Sequence, residues 1–155
     1  AHMLTSNLYE EVWIGLDGAG WFDAGLAHWY EQTVIGQHRH YCVEEAHGGW
    51  KWDEPLWRAE TRKYLSRNRD RLLPELIGQQ TGELPDWGHA MSCSVYDWLV
   101  ATRPNSLKPV LLGLKQRVPA RELFRDHVGL DLFAAEDAWR AWVKETYPRR
   151  EKLGR

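Results

Sequence analysis

The feature that most constrains the fold is the spacing of apolar residues in the second half of the chain. Met91, Val95, Trp98, Leu99 and Thr102 follow one another at helical intervals, so a helix would carry all five on one face. Strict alternation of apolar and polar residues, which is typical of a half-buried strand, never lasts more than a few residues. The sequence therefore predicts a mainly α fold.

Glycine, proline and capping residues divide the rest of the chain into further helices. Gly36 and Gly129 are suited to end helices, and Asp53 and Asp131 are suited to cap them. The predicted helices cover residues 4–16, 21–35, 54 to about 73, 91–102, 106–114, 119–128 and 132–147, and Pro148 ends the last of them. Tryptophans at helical spacing, Trp98, Trp139 and Trp142, are expected in the core.

One segment departs from the helical pattern. In residues 37–45, His38, His40 and Cys42 alternate with other residues, which makes this segment the best strand candidate and leaves room for one short β-hairpin. Gly48-Gly49 is a turn signal just after it.

Length and charge limit the domain count and the classes of partner. The chain has 155 residues, the size of one domain, with 20 basic and 22 acidic residues and a net charge of -2. Such a balance gives no overall attraction to nucleic acid or to an anionic membrane. No apolar run is long enough for a transmembrane helix, so we expect no membrane partner. Two cysteines are too few for a disulfide framework.

The chain is expected to form a single domain with short unstructured ends. Residues 1–3 look like the remnant of an expression vector, residues 4–148 form the helical domain, and residues 149–155 form a frayed tail. If Met3 is the native start, a cytoplasmic protein is expected. If it is not, the compartment is unknown.

The block of residues 21–31 carries a family resemblance. Its core, Trp21-x-x-x-Gly25-Leu26-Ala27, resembles the second active-site helix of gluzincin (peptidase-MA-like) metallopeptidases, which reads Trp-Leu-x-Glu-Gly-Leu-Ala. Residues 94–100 and 129–142 are similar, more weakly, to later helices of that family. The resemblance implies a single helical domain like the C-terminal part of a gluzincin.

The same resemblance argues against the family's reaction. Gluzincins bind zinc through two histidines four residues apart and a glutamate from the second helix. No pair of histidines in this chain has that spacing, so H-E-x-x-H is absent, and Ala24 stands where the family has its glutamate. A methyl group cannot coordinate zinc, so we expect no catalytic residues and no cofactor.

The resulting hypothesis is a non-catalytic, gluzincin-like module that binds a peptide or protein partner, or holds a longer chain together. Its binding candidates on the 21–31 helix are Trp21, Asp23, His28 and Tyr30. Trp50 and Trp52 join them because they flank Lys51 in a glycine-rich loop and are the least easily explained as core.

Two alternatives belong to other classes of protein. The first is a metal-dependent hydrolase with a relocated zinc site, for which the candidate ligands are His38, His40, Cys42 and His47. The second is a single-stranded nucleic-acid binder that uses the basic face of residues 58–71, although the overall charge makes nucleic acid the less expected partner. Its basic residues are Arg58, Arg62, Lys63, Arg67, Arg69 and Arg71.

Overall fold

The computed structural model describes residues 14–15, 18–36 and 56–149, and within them the protein is a single, mainly α domain. The α-helices are α1 (Gly20–Tyr30), α2 (Leu56–Arg67), α3 (Leu73–Leu76), α4 (Asp86–Thr102), α5 (Leu107–Lys115), α6 (Ala120–Leu123) and α7 (Leu132–Thr146). A π-helical turn extends α1 over Glu31–Ile35, and another extends α6 over Phe124–Val128. The predicted helix at 4–16 and the strand candidate at 37–45 lie almost entirely outside the described residues.

The packing of α1 against α4 is the most extensive helix contact in the described domain. Gly25 makes this close approach possible, because a Cβ atom at that position would lie 2.5 Å from the Ser92 carbonyl oxygen. Around this pair, aromatic side chains fill the interior. Trp21, Trp57, Trp98 and Trp139 are all essentially inaccessible to solvent.

The tryptophans predicted at core positions behave in two ways. Trp98 and Trp139 are fully buried, and the Trp139 Nε1–H donates to Ser94 Oγ at 3.0 Å, so its one polar group is satisfied. Trp142 is half-buried and packs edge to face against Tyr147. The first two predictions are confirmed, while Trp142 lies at the edge of the core.

Local sequence signals located most helix ends correctly. Gly36 and Gly129 adopt left-handed φ angles of 71° and 77°, as residues that end a helix often do. The Asp131 side chain caps α7 by accepting from the Ala134 N–H at 2.8 Å.

The predicted end of helix α2 at about residue 73 is wrong, since α2 ends at Arg67. The Asn68 side chain accepts a hydrogen bond from the Asp70 N–H at 3.0 Å, and this local turn competes with helix continuation. Leu72 and Leu73 then donate their backbone N–H groups to the Glu136 carboxylate, so a new helix starts here.

Glu136 and Arg140, one turn apart on α7, fix the segment between α2 and α3. Glu136 is completely buried, and Arg140 Nε donates to it at 2.7 Å. The Arg140 guanidinium also donates to the carbonyl oxygens of Leu65, Asn68 and Asp70. The segment therefore has a fixed position against α7. Among the described residues, no helix is both long and apolar enough to cross a membrane.

Candidate functional site

The 21–31 helix directs its predicted binding residues mostly inward. Trp21 and Asp23 are fully buried, and Asp23 accepts a hydrogen bond from the Thr81 hydroxyl at 3.0 Å. Ala24 is equally buried. Tyr30, at the end of the helix, is 40% exposed. Of these predicted residues, only Tyr30 is accessible to a partner in this structure, and Trp50 and Trp52 lie outside the described residues.

His28 belongs to a buried polar cluster where α1 meets α4. Its Nε2 atom lies 3.2 Å from His89 Nδ1, and its Nδ1 atom lies 3.8 Å from a carboxylate oxygen of Glu31. All three residues are less than a tenth exposed. One imidazole nitrogen of the close pair must carry the hydrogen and the other must accept it. The cluster stabilises the α1–α4 contact from within and presents little surface to a ligand.

Zinc chemistry in proteins usually needs three protein ligands. Within residues 14–15, 18–36 and 56–149, no three histidine, cysteine, aspartate or glutamate side chains are arranged to hold a metal ion. The candidate ligands His38, His40, Cys42 and His47 lie outside these residues, so the relocated zinc site stays a prediction.

The basic residues of 58–71 do not form one exposed face. Arg58 packs over the Trp57 and Tyr147 rings and reaches Asp97 at 3.4 Å. Arg62 donates to the Tyr147 carbonyl oxygen at 2.5 Å. These side chains therefore turn toward the C-terminal end of the domain.

Arg71 does not share a face with these residues, since it forms an exposed ion pair with Asp137 at 2.6 Å. The pairing raises the pKa of the Arg71 guanidinium, chiefly through this hydrogen bond. Lys63, Arg67 and Arg69 remain. Arg69 is exposed, whereas Lys63 and Arg67, together with Arg62, line a cleft that no sequence pattern indicated.

The cleft lies between α2 and α7 and has a volume of about 680 Å³. Its apolar lining comes from Ala59 and Leu65 on one helix and Val143 on the other. The basic lining residues are Arg62, Lys63 and Arg67 from α2, Arg140 and Lys144 from α7, and Arg149 just beyond α7. We call this feature the basic cleft.

The basic cleft concentrates positive charge in a protein whose net charge is -2. Among the described residues that line it, six are cationic and none is acidic. Two of the cations meet a carboxylate beside the cleft: Arg140 pairs with Glu136 at 2.7 Å, and Lys63 pairs with Glu60 at 3.6 Å. Within the described part of the chain, the positive charges of Arg67, Lys144 and Arg149 have no carboxylate partner.

Aromatic side chains are missing from the described lining of the basic cleft. Trp57, the tryptophan nearest to it along α2, is completely buried, and Arg58 stacks on its ring. Proteins that bind single strands without sequence preference usually stack bases on accessible aromatic rings. In its described lining, the cleft therefore offers charge and apolar contact but no aromatic ring on which a base could stack.

Sequence reasoning found half of this site and missed the other half. Arg62, Lys63 and Arg67 belong to the basic run, but Arg140 and Lys144 come from a distant helix, and Arg149 lies in the predicted frayed tail. The available signal was the i, i+4 spacing of Arg140 and Lys144, which puts two cations on one face of α7.

No protein-family model, no curated protein and no solved structure matches this chain. The resemblance to gluzincins therefore stays a hypothesis that rests on the residues of the 21–31 block.

Proposed function

We propose that this domain is a non-catalytic binding module that holds an acidic segment of a partner protein in the basic cleft. The observation that carries the proposal is the cleft itself: six cationic side chains and no acidic one among its described lining. The gluzincin-like scaffold remains part of the proposal, as the origin of a helical frame without the family's zinc ligands.

Charge supports an anionic ligand. Four of the six cations, those outside the Glu136 and Glu60 pairs, have no carboxylate within the described domain to offset them. Cations with the same sign around one cleft repel each other, and an anionic ligand relieves that repulsion. Four of the six are also arginines, whose planar guanidinium matches a carboxylate through two parallel hydrogen bonds.

The apolar lining favours a peptide over a nucleic acid. The aliphatic stems of the basic lining residues, which lie over the buried floor of Ala59, Leu65 and Val143, give the cleft an apolar component that can cover a side chain beside the acidic residues. A single-stranded nucleic acid would need accessible rings for its bases, and the described lining has none. An acidic peptide uses both the charge and the apolar part of the cleft.

The test is a binding titration with a fluorescent peptide that mixes glutamate, aspartate and leucine, read out by anisotropy. We expect saturable binding that weakens between about 50 mM and about 200 mM salt, because salt screens charge pairs near a surface. The double variant Arg67→Gln with Lys144→Gln should weaken binding about three- to tenfold, since each exposed pair contributes about 0.2–1 kcal/mol.

The matched control is the double variant Arg121→Gln with Arg125→Gln, which also removes two exposed cations, neither of which lines the cleft. It should leave the affinity unchanged. Equal weakening by the control and by the cleft variant would refute the proposal, because it would mean that only net charge matters. Tighter binding of single-stranded oligothymidine than of the peptide would instead favour the nucleic-acid alternative.

A further inference from the structure

A second hollow adjoins the basic cleft. It has a volume of about 550 Å³ and is lined by Glu60, Lys63, Tyr64, Arg67, Asn68 and Asp70. Lys63 and Arg67 line both spaces, so these two side chains form the ridge between them. A ligand that lies in the cleft and crosses this ridge enters the hollow.

The hollow differs chemically from the cleft because it contains two carboxylates and an aromatic ring. Glu60 is paired with Lys63, whereas the Asp70 carboxylate has no cationic partner within the described residues. The backbone of Asp70 is nevertheless fixed, since its N–H donates to Asn68 Oδ1 and its carbonyl accepts from Arg140 at 2.6 Å. An exposed anion is thus held at a defined point beyond the ridge.

Tyr64 gives the hollow a rigid aromatic wall. Its ring stacks nearly parallel on Trp87, with centroids 5.8 Å apart and planes 14° apart. The face of a tyrosine ring attracts a cation, and a neighbouring carboxylate adds a charge-assisted hydrogen bond. Tyr64 and Asp70 together are a suitable pair of contacts for a lysine or arginine side chain.

We infer, on the basis of the proposed function, that the partner segment carries a lysine or arginine beside its acidic residues and that this cationic side chain occupies the hollow. The acidic residues lie in the cleft, and the cationic side chain contacts Asp70 and Tyr64. A uniformly acidic ligand that crossed the ridge would meet the Asp70 carboxylate with like charge, which disfavours it.

The ridge also limits how many residues separate the acidic and the cationic residue of the ligand. Lys63 and Arg67 are four residues apart on α2, which separates their Cβ atoms by about 5–6 Å. An extended peptide rises about 3.3 Å per residue. The cationic residue should therefore lie about one or two positions from the nearest acidic residue, in either chain direction.

The test is a double-mutant cycle between ligand and protein. One acidic peptide has lysine two positions after its last glutamate, and its partner peptide has norleucine there, which keeps the length and removes the charge. On the wild-type protein the lysine peptide should bind about two- to fivefold more tightly. The variant Asp70→Asn, which keeps the backbone hydrogen bonds of Asp70, should abolish this difference.

The control Glu75→Gln removes an exposed carboxylate that lines neither space, and the preference for lysine should survive it. Equal affinity of the two peptides for the wild-type protein, or a preference that survives Asp70→Asn, would overturn the inference. In both cases the proposed function stands if both peptides still bind and both lose affinity on Arg67→Gln. Failure of both peptides to bind would refute the proposed function and the inference together.

Discussion

Replacement of Glu136 by alanine should destabilise the domain much more than replacement of its exposed neighbour Asp137. Glu136 is completely buried, and its carboxylate accepts from the N–H groups of Leu72 and Leu73 at 3.1 and 3.2 Å. It also accepts from Arg140 Nε at 2.7 Å. Alanine removes all of these acceptors at once.

The expected loss in free energy of unfolding follows from the groups that the substitution leaves without a hydrogen-bond partner. Two backbone N–H groups in the interior become unpaired, and Arg140, whose side chain is 21% exposed, loses its counter-ion. Removal of one member of a buried ion pair costs about 3–5 kcal/mol in free energy of unfolding. Arg140 keeps its three carbonyl acceptors, so we expect a value near the lower end, about 3 kcal/mol.

Urea denaturation followed by tryptophan fluorescence measures this cost, because four tryptophans of the described domain are fully buried. The matched control is Asp137→Ala, the neighbouring residue, whose ion pair with Arg71 is exposed. That change should cost less than about 1 kcal/mol. A loss at Glu136 that is no greater than the loss at Asp137 would refute the argument that the carboxylate holds the α2–α3 segment in place.

Two further predictions concern the helix packing and the buried phenols. Gly25→Ala should destabilise the domain by about 1–3 kcal/mol in urea denaturation, because the new methyl group meets the α4 backbone, whereas Gly82→Ala, which meets open space, should not. Burial raises the pKa of Tyr96 to about 12 and that of Tyr147 well above its usual 10.0. The folded protein therefore retains protons that the unfolded chain releases, so the stability they confer is complete below about pH 10 and falls as the pH rises toward 12. Stability that stays constant over that interval, measured by denaturation at each pH, would contradict the burial of these phenols.

The sequence correctly predicted the helix ends that depend on residues close together in the chain. Gly129 and Asp131 mark the end of one helix and the start of the next because the left-handed turn and the side-chain cap each act within a few residues. The mainly α fold was predictable for the same reason, since apolar periodicity is a local property.

Contacts between distant parts of the chain were not predictable in this way. Glu136 has the sequence context of an exposed helix residue, and its burial depends on two N–H groups that lie 64 and 63 residues earlier in the chain. The basic cleft likewise combines cations from two helices, and only the cations of α2 belong to a basic run that can be recognised in the sequence. The buried state of Asp23 depends on Thr81, which no spacing rule connects with it.

Side-chain NMR is the most direct test of the proposal that the basic cleft binds an acidic protein segment. In a titration with the acidic peptide, the Nε–H resonances of Arg67 and Arg149 should shift progressively and saturate together. The resonances of Arg121 and Arg125, which lie outside the cleft, should stay in place. Two results would contradict the proposal. One is that the resonances of Arg121 and Arg125 shift as much as those of the cleft arginines. The other is that the resonances of the cleft arginines stay in place while the peptide binds.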